Sequence, residues 1–230
     1  MTLDELYTKI LMDLYAVGEK RSPRGEETKE LRPYFFILRD ITDNIVKVPG
    51  FETNINYAKT EFEWYLTGNG NLNEAPELIK KTWARYSDDG ETVNSNYGER
   101  IFGKHAILNI NQWDYAKELL TKDPHTRRAT ININSYFDKL NRDTKDYPCT
   151  QYLQFFITND NKLEMGVHMG SNDVYKGLRN DIYCFTQFQK KMADELNLGY
   201  GIYKHYAGSM HLYAEQFSKV KAMIENRSKE

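Results

Sequence analysis

The chain has 230 residues with a hydrophobic fraction of 40%, a charged fraction of 28% and a formal net charge of −2, a composition that excludes a disordered chain. Because the net charge is close to zero, the composition also argues against a protein that coats nucleic acid. Two cysteines, Cys149 and Cys184, exclude a disulfide framework, and the sequence has neither a zinc-binding spacing nor an apolar run approaching about 18 residues. We therefore expect a single cytoplasmic domain over residues 1–230, with no metal and no membrane partner, in a reducing compartment that keeps both thiols free.

The first half of the chain predicts helices at residues 2–18, 54–66 and 111–120, a mobile polar loop at 19–29 and a buried strand at 33–38. Thr2 and Glu5 form a capping box ahead of an apolar pattern with helical spacing. The third helix is expected to stop at Asp123-Pro124, because proline cannot continue a helix.

The second half predicts strands at residues 129–134, 151–158, 162–168 and 199–206, and helices at 179–196 and 214–226. Polar residues 159–161 form the turn between two of these strands. The helix at 179–196 is the longest, with Ile182, Phe185 and Phe188 on one apolar face. Helices and strands are mixed, with no repeat and no linker, so the chain is predicted to be one α/β (α+β) domain.

Three segments carry candidate chemistry: Asp146–Thr150, Gly170–Asp181 and Gly208–Tyr213. The first places Cys149 after a proline at the start of an apolar run, which is weak evidence alone, because free cysteines are most often small buried hydrophobes. In their order and spacing, and together with Glu61–Leu66 and Asn94–Gly98, these segments resemble the thymidylate synthase superfamily. Within it, they are most similar to the phage deoxycytidylate hydroxymethylases.

The resemblance implies a thymidylate synthase fold, with a mixed β-sheet flanked by helices and a homodimer formed through the sheets. It also implies the conversion of deoxycytidylate (dCMP), 5,10-methylenetetrahydrofolate and water to 5-hydroxymethyl-dCMP and tetrahydrofolate. Two alternatives remain open: a methyltransferase of the same fold acting on dCMP or dUMP, and a catalytically silent nucleotide-binding protein.

The resemblance makes Cys149 the nucleophile that adds to C6 of the pyrimidine. A thiolate suits that step because it is both a strong nucleophile and a good leaving group, and nearby guanidinium groups would favour the thiolate. Glu61 would organise water, shuttle protons and contact the folate, whereas its plainer interpretation is a solvated helix face. Tyr97 would aid proton transfer at C5, although its segment alone is simply a turn. Cys184 is assigned to the core.

Asp181 is the position that discriminates between substrates, since thymidylate synthases carry an asparagine there. A protonated carboxyl can donate to N3 of cytosine and accept from its 4-amino group, and it can pass its proton to N3 as C6 is attacked. The alternative is a helix-capping aspartate, because Asp181 opens a long helix.

The resemblance also assigns the binding residues. At the substrate phosphate the resemblance places Arg24, together with Arg127 and Arg128 donated across the dimer interface. Ser171, Asn172 and Asp181 would also bind the substrate, and His211 and Tyr213 would hold its sugar hydroxyl. The folate would contact Glu61, Trp83 and Asp173. Arg21 competes with Arg24 for the phosphate. Without the resemblance, an arginine pair is usually solvated and a tryptophan usually lies in the core.

Three departures from the family pattern stand out. Gly170 replaces a phosphate-binding arginine, so Lys176 or Lys204 is expected to substitute for it. Thr150 follows the nucleophile where synthases have histidine, as it does in the hydroxymethylases. Because 17 residues follow Tyr213, the synthase segment that closes over folate is expected to be absent, leaving a wetter site.

Overall fold

The fold is described from a computed structural model over residues 1–104, 109–135, 138 and 143–227. The helices are α1 (Leu3–Val17), α2 (Ile55–Leu66), α3 (Glu77–Trp83), α4 (Tyr97–Phe102), α5 (Gln112–Lys122), α6 (Leu178–Glu195) and α7 (Phe217–Arg227). The strands are β1 (Glu19–Arg21), β2 (Thr28–Leu31), β3 (Tyr34–Leu38), β4 (Thr130–Asn132), β5 (Thr150–Ile157), β6 (Lys162–Asp173) and β7 (Gly199–Tyr213). None of the helices in these ranges is long and apolar enough to cross a membrane.

The strands form one mixed sheet around β7. Its order is β1-β2-β7-β6-β5-β4, and β3 also pairs with β7. β7 is long enough to pair with β3 through residues 203–207 and with β2 through residues 210–213. β6 and β7 are parallel, and the chain between them forms α6, as a parallel crossover requires.

The core lies between the inner face of the sheet and the helices. Alternate residues of β6 point inward and are buried, namely Leu163, Met165, Val167 and Met169. The apolar face of α6 packs on β6 and β7, as the spacing predicted, with Ile182, Phe185, Phe188 and Met192 fully buried. This packing brings the first turns of α6 to the ends of β6 and β7, where the candidate site residues lie.

The outer face of the sheet carries an aromatic row. The register pairs Phe35 with Tyr206, Tyr206 with His168, and His168 with Tyr152. The His168 ring stacks on Tyr152 at 4.2 Å and lies 5.5 Å from Tyr206. Phe35 is 55% exposed and Ile37 is 37% exposed. The prediction of a fully buried strand at residues 33–38 is therefore wrong for its outward-facing half.

Other predictions need correction around short elements. Residues 19–29 are not a loop throughout, because β1 and β2 pair there as an antiparallel ribbon. The helices α3 and α4, of seven and six residues, were not predicted, since such lengths are too short for a periodic apolar pattern. The last helix begins at Phe217, after a 3₁₀ turn over Ala214–Gln216.

Candidate active site

Cys149 lies immediately before β5 and is exposed to solvent. Its carbonyl accepts from the backbone N–H of Gly170 at 2.8 Å, which fixes the residue against β6. The Ser171 hydroxyl donates to the Cys149 thiol at 3.7 Å. The thiol is therefore reachable from solvent while its backbone is held by the sheet.

The electrostatic surroundings of Cys149 do not favour the thiolate in the free protein. Surrounding protein raises the pKa of Cys149, and the carboxylates of Asp181 and Asp146 raise it further, whereas the Ser171 hydrogen bond and Arg24 lower it. Arg24 favours the thiolate, as expected, but desolvation by the surrounding protein outweighs its attraction, so the pKa of the thiol stays raised.

Glu61 on α2 is buried, with 4% of its surface exposed. Its Oε1 accepts from the Tyr57 hydroxyl at 2.8 Å and from Trp83 Nε1 at 3.1 Å. Its Oε2 accepts from the Asn180 amide and lies 3.8 Å from the Cys184 sulfur. The interpretation of Glu61 as a solvated residue is therefore wrong, and Trp83 is joined to it directly.

Burial raises the pKa of Glu61 to about 7, although the Tyr57 hydrogen bond opposes the shift. A carboxyl with this pKa is populated in both protonation states near neutral pH. Such a group can take up and release a proton in one cycle, which is what general acid–base catalysis requires.

Tyr97 is the first residue of α4, whose N-cap is Asn96. The Thr150 hydroxyl donates to the Tyr97 hydroxyl at 2.9 Å, and the Tyr97 ring stacks on Tyr65 and Phe185. Burial raises the pKa of Tyr97, and proximity to Cys149 raises it further. The Tyr97 hydroxyl therefore stays protonated beside the nucleophile.

Asp181 lies in the first turns of α6, but it is not the cap. The N-cap is Gly177, which has no side-chain cap hydrogen bond, so the capping interpretation is wrong. Asp181 Oδ2 instead accepts from Asn172 Nδ2 on β6 at 2.6 Å. Burial raises the pKa of Asp181 to about 6; the Asn172 hydrogen bond lowers it, and Asp173 raises it.

Asp173 ends β6 directly opposite His211 on β7. Its Oδ1 accepts from the backbone N–H groups of Tyr175 and Lys176, at 2.8 and 3.0 Å. Its Oδ2 is buried and has no hydrogen-bond partner among the described residues. A buried carboxylate oxygen without a protein partner is free to accept a hydrogen bond from a ligand.

His211 and Tyr213 lie two residues apart on the same face of β7. Their rings meet edge to face, with centroids 5.4 Å apart. The Lys176 ammonium lies over the Tyr213 ring at 4.5 Å. The structure thus brings this pair to the same end of the sheet as Asp173.

The structure distinguishes between the arginines. Arg24 is exposed, has a left-handed backbone with φ of 55°, and is close enough to Cys149 to affect its thiol. Arg21 instead forms an ion pair with Glu19 at 2.5 Å. Arg127 and Arg128 are exposed between α5 and β4, and neither side chain is bonded to the other site residues of the described chain.

The structure does not support the expectation that Lys176 or Lys204 replaces the phosphate-binding arginine missing at Gly170. A Cβ on Gly170 would lie 3.1 Å from the Gln151 amide nitrogen, so Gln151 occupies the space next to this glycine. Lys176 pairs with Glu215 at 2.9 Å, and Lys204 pairs with Glu164 at 2.6 Å. Both lysines are engaged, so the structure gives no support to either as a replacement phosphate ligand.

Sequence reasoning missed the residues that support the predicted ones. Tyr57 was not singled out, although it stands four residues before Glu61 on α2, a spacing that places two side chains on one helix face. Cys184 is buried, as predicted, but its contact with Glu61 was not foreseen. The Thr150 contact with Tyr97 spans 53 residues of sequence, so no local pattern reveals it.

Comparisons with known proteins identify the family and the fold. A family model described as thymidylate synthase matches residues 5–230. The deoxyuridylate hydroxymethyltransferase of Bacillus phage SP01 is 31% identical over 222 residues, covering 93% of this chain and 57% of that protein. The deoxycytidylate 5-hydroxymethyltransferase of Enterobacteria phage T4 is 29% identical over 174 residues, covering 71% of this chain and 69% of that protein.

A thermostable thymidylate synthase A from Bacillus subtilis has the same fold, with a TM-score of 0.79 at 20% identity, covering 98% of this chain and 84% of that one. The chain belongs to the thymidylate synthase family, and the predicted fold is confirmed. It spans little more than half the length of its phage SP01 relative. Among the described residues, no group of three or more His, Cys, Asp or Glu is arranged to hold a metal ion.

Proposed function

We propose that the protein is a deoxycytidylate 5-hydroxymethyltransferase that takes its one-carbon unit from 5,10-methylenetetrahydrofolate. The observation that carries this proposal is the carboxyl of Asp181, which is desolvated and has a pKa raised to about 6. At neutral pH such a group takes up a proton at small cost when a ligand needs a donor. An asparagine at this position, as in the synthases, can donate a hydrogen bond but cannot transfer a proton to N3 of the pyrimidine.

The edge of the pyrimidine ring explains why this carboxyl matters. Cytosine presents an acceptor at N3 and a donor at its 4-amino group, whereas uracil presents a donor at N3 and an acceptor at O4. A protonated Asp181 donates from one oxygen and accepts with the other, which matches cytosine. Passing that proton to N3 then gives the ring an electron sink while Cys149 adds to C6.

The other side chains have complementary tasks. The thiol must lose its proton before attack, because desolvation by the surrounding protein raises the pKa of Cys149 and keeps it protonated in the free protein. Tyr97, protonated and close to the thiol, is placed to donate toward C5. Glu61, with a pKa of about 7, handles the proton of the attacking water. Members of this family use 5,10-methylenetetrahydrofolate as co-substrate; bound between Trp83 and Asp173, it would supply the one-carbon unit.

Hydroxymethylation of dUMP is the second candidate, because the phage SP01 relative is named for deoxyuridylate. The phage T4 relative is named for deoxycytidylate. Asp181 favours deoxycytidylate as the substrate, because its protonated carboxyl can donate to N3 of cytosine and accept from the 4-amino group. Transfer of a methyl group instead of a hydroxymethyl group is distinguished by the mass of the product.

We also propose that the protein works as a homodimer joined through the outer face of the sheet. The support is the exposed aromatic row that contains Phe35 and Tyr206, since exposed apolar surface of this kind marks interaction sites. In such a dimer, Arg127 and Arg128 are offered to the partner subunit's phosphate site, where bidentate guanidinium contacts suit the ligand.

The experiment is turnover of dCMP and dUMP by wild type and Asp181→Asn, with products identified by mass spectrometry. We expect wild type to prefer dCMP and to release a hydroxymethyl product. Asp181→Asn should lower activity on dCMP and raise the relative activity on dUMP, because an amide donates to O4 and accepts from N3–H. The ratio should shift by orders of magnitude, since mispaired buried polar groups are rejected strongly.

Asp194→Asn is the control for this substitution, because Asp194 is an aspartate near the far end of the same helix. It should leave the dCMP-to-dUMP ratio at the wild-type value. A wild type that prefers dUMP, or an unchanged ratio in Asp181→Asn, contradicts the cytidylate assignment.

A further inference from the structure

Among the described residues, the Asn172 side chain has one hydrogen bond, and it goes to Asp181. Its Nδ2 donates to Asp181 Oδ2 at 2.6 Å. The residue is 4% exposed, and its backbone is held in β6 opposite Met210. The amide therefore sits on a rigid strand, and water has little access to it.

The other end of this amide is not satisfied. Asn172 Oδ1 is buried and has no hydrogen-bond partner among the described residues. Buried asparagines that serve only the fold normally satisfy both ends of the amide, because an unpaired buried group costs free energy. The contact with Asp181 is thus the interaction that this side chain is placed to make.

Gly177 leaves space for the Asn172 amide and the Asp181 carboxyl, because it has no side chain. A Cβ on Gly177 would lie 3.1 Å from Asp181 Oδ2 and 3.3 Å from Asn172 Nδ2. The backbone of Gly177 has an ordinary φ of −103°, so glycine is not needed there for its conformation. The absent side chain is what allows the amide and the carboxyl to meet.

We infer that Asn172 is a specificity-determining positioning residue, which keeps Asp181 Oδ2 as an acceptor and so places the carboxyl proton on Oδ1. This inference rests on the proposed function. An oxygen that already receives an N–H is the poorer place for a proton, and Oδ1 has no hydrogen bond to the described residues. One oxygen then donates to cytosine N3 while the other accepts from the 4-amino group.

The same arrangement works against uracil. To bind uracil, Asp181 must accept N3–H with Oδ1 and donate to O4 from Oδ2. A proton on Oδ2 weakens that oxygen as an acceptor for Asn172 Nδ2, which then loses the one side-chain partner that the described part of the chain gives it. Asn172 therefore acts through Asp181 to raise the cost of the wrong base.

Other ionisable groups face Asp181 from every neighbouring element and are common to all the variants below. They are Glu61 on α2, Tyr97 on α4, Cys149 before β5, Asp173 on β6, Tyr203 on β7 and Cys184 on α6 itself. A difference between wild type and an Asn172 variant therefore reports on the amide.

The test is the ratio of kcat/KM for dCMP to kcat/KM for dUMP, measured in Asn172→Ala and in Asn172→Leu, which keeps the branched shape of the side chain without its polar atoms. We expect the ratio to fall about tenfold, which is the size of the penalty for leaving one buried polar group unpaired. The Asn172 hydrogen bond lowers the pKa of Asp181. Its removal should therefore move the alkaline fall of dCMP turnover, where Asp181 loses its proton, to higher pH.

A double-mutant cycle separates positioning from a structural role. In the Asp181→Ala background, where no carboxyl is left for Asn172 to orient, removing Asn172 should change the ratio by less than about twofold, because coupled residues are not additive. Gly177→Ala, which crowds the pair and leaves both side chains in place, should lower the ratio in the wild-type background. It also provides the test if the Asn172 variants do not fold.

Asn44→Ala is the matched control. Asn44 is likewise 4% exposed, and its Nδ2 donates to Thr186 on the same helix at 2.9 Å. It should lose stability but keep the wild-type ratio and pH profile. A wild type that prefers dCMP, with an unchanged ratio in the Asn172 and Gly177 variants, overturns this inference alone. A wild type that prefers dUMP overturns the proposed function and this inference together.

Discussion

At the residue scale, Glu61 shows how burial prepares a carboxyl for chemistry. Three donors surround it, from Tyr57, Trp83 and Asn180. Desolvation outweighs the effect of these hydrogen bonds and raises the pKa of Glu61 from 4.5 to about 7. The folded state therefore holds the proton more tightly than the unfolded chain. The protonated Glu61 carboxyl therefore stabilises the folded state at low pH, and this stabilisation is lost as the pH rises through about 7.

We predict that Glu61→Gln flattens the pH dependence of stability between pH 5 and pH 8. The wild type should lose about 2–3 kcal/mol of unfolding free energy from this one group over that range, because one pKa unit corresponds to about 1.4 kcal/mol. Urea unfolding at both pH values measures the difference. Glu63→Gln, an exposed position on the same helix, should keep the wild-type slope. An equal slope in wild type and Glu61→Gln contradicts the prediction.

At the element scale, the site depends on short helices that approach one another closely. α4 presents Tyr97, and its next residue, Gly98, packs against the end of α2. A Cβ on Gly98 would lie 2.6 Å from the Tyr65 Cα, a distance that backbone atoms cannot accommodate without moving. Glycine is required here for the contact between helices.

We predict that Gly98→Ala destabilises the protein by about 3 kcal/mol and lowers turnover through the displacement of Tyr97. In a helix without this contact, alanine would instead stabilise by about 1 kcal/mol. Thermal unfolding and kcat are the measurements. Gly166→Ala is the control, because the nearest atom to its new Cβ is 4.0 Å away. Wild-type stability in Gly98→Ala would show that the two helices can separate without cost.

At the scale of the whole molecule, the outer sheet face is exposed at Phe35 and Tyr206, and Arg127 and Arg128 are exposed between α5 and β4. If two subunits join through that face, each active site combines the Cys149 of one subunit with the arginines of the other. Complementation between inactive variants tests this arrangement directly.

We predict that Cys149→Ala and Arg127→Ala, each weakly active or inactive alone, regain turnover when their subunits are mixed. The heterodimer has one site with an intact cysteine and an intact arginine from its partner. Mixing Cys149→Ala with Glu61→Gln is the control and should restore nothing, because those residues belong to the same subunit's site. No recovery in the first mixture argues against arginines shared across an interface.

The sequence by itself determined the family and the long helix α6, whereas β6 and β7 extend five and seven residues beyond the predicted strands at 162–168 and 199–206. The helical spacing of apolar residues at 179–196 and their alternation in β6 are local patterns, so they are visible in the sequence itself. Cys149, Glu61 and Asp181 were identified as candidates because their segments resemble known motifs in order and spacing. Short elements such as α4 were missed, since few residues carry little periodicity.

Only the tertiary structure decided how the candidates act on one another. Asp181 meets Asn172 rather than a helix end, and Glu61 meets Trp83 across 22 residues of sequence. It also decided that desolvation by the surrounding protein outweighs the effect of Arg24 on the pKa of Cys149. Desolvation and hydrogen bonding depend on which distant segments surround a group, and that information appears only when the chain is folded.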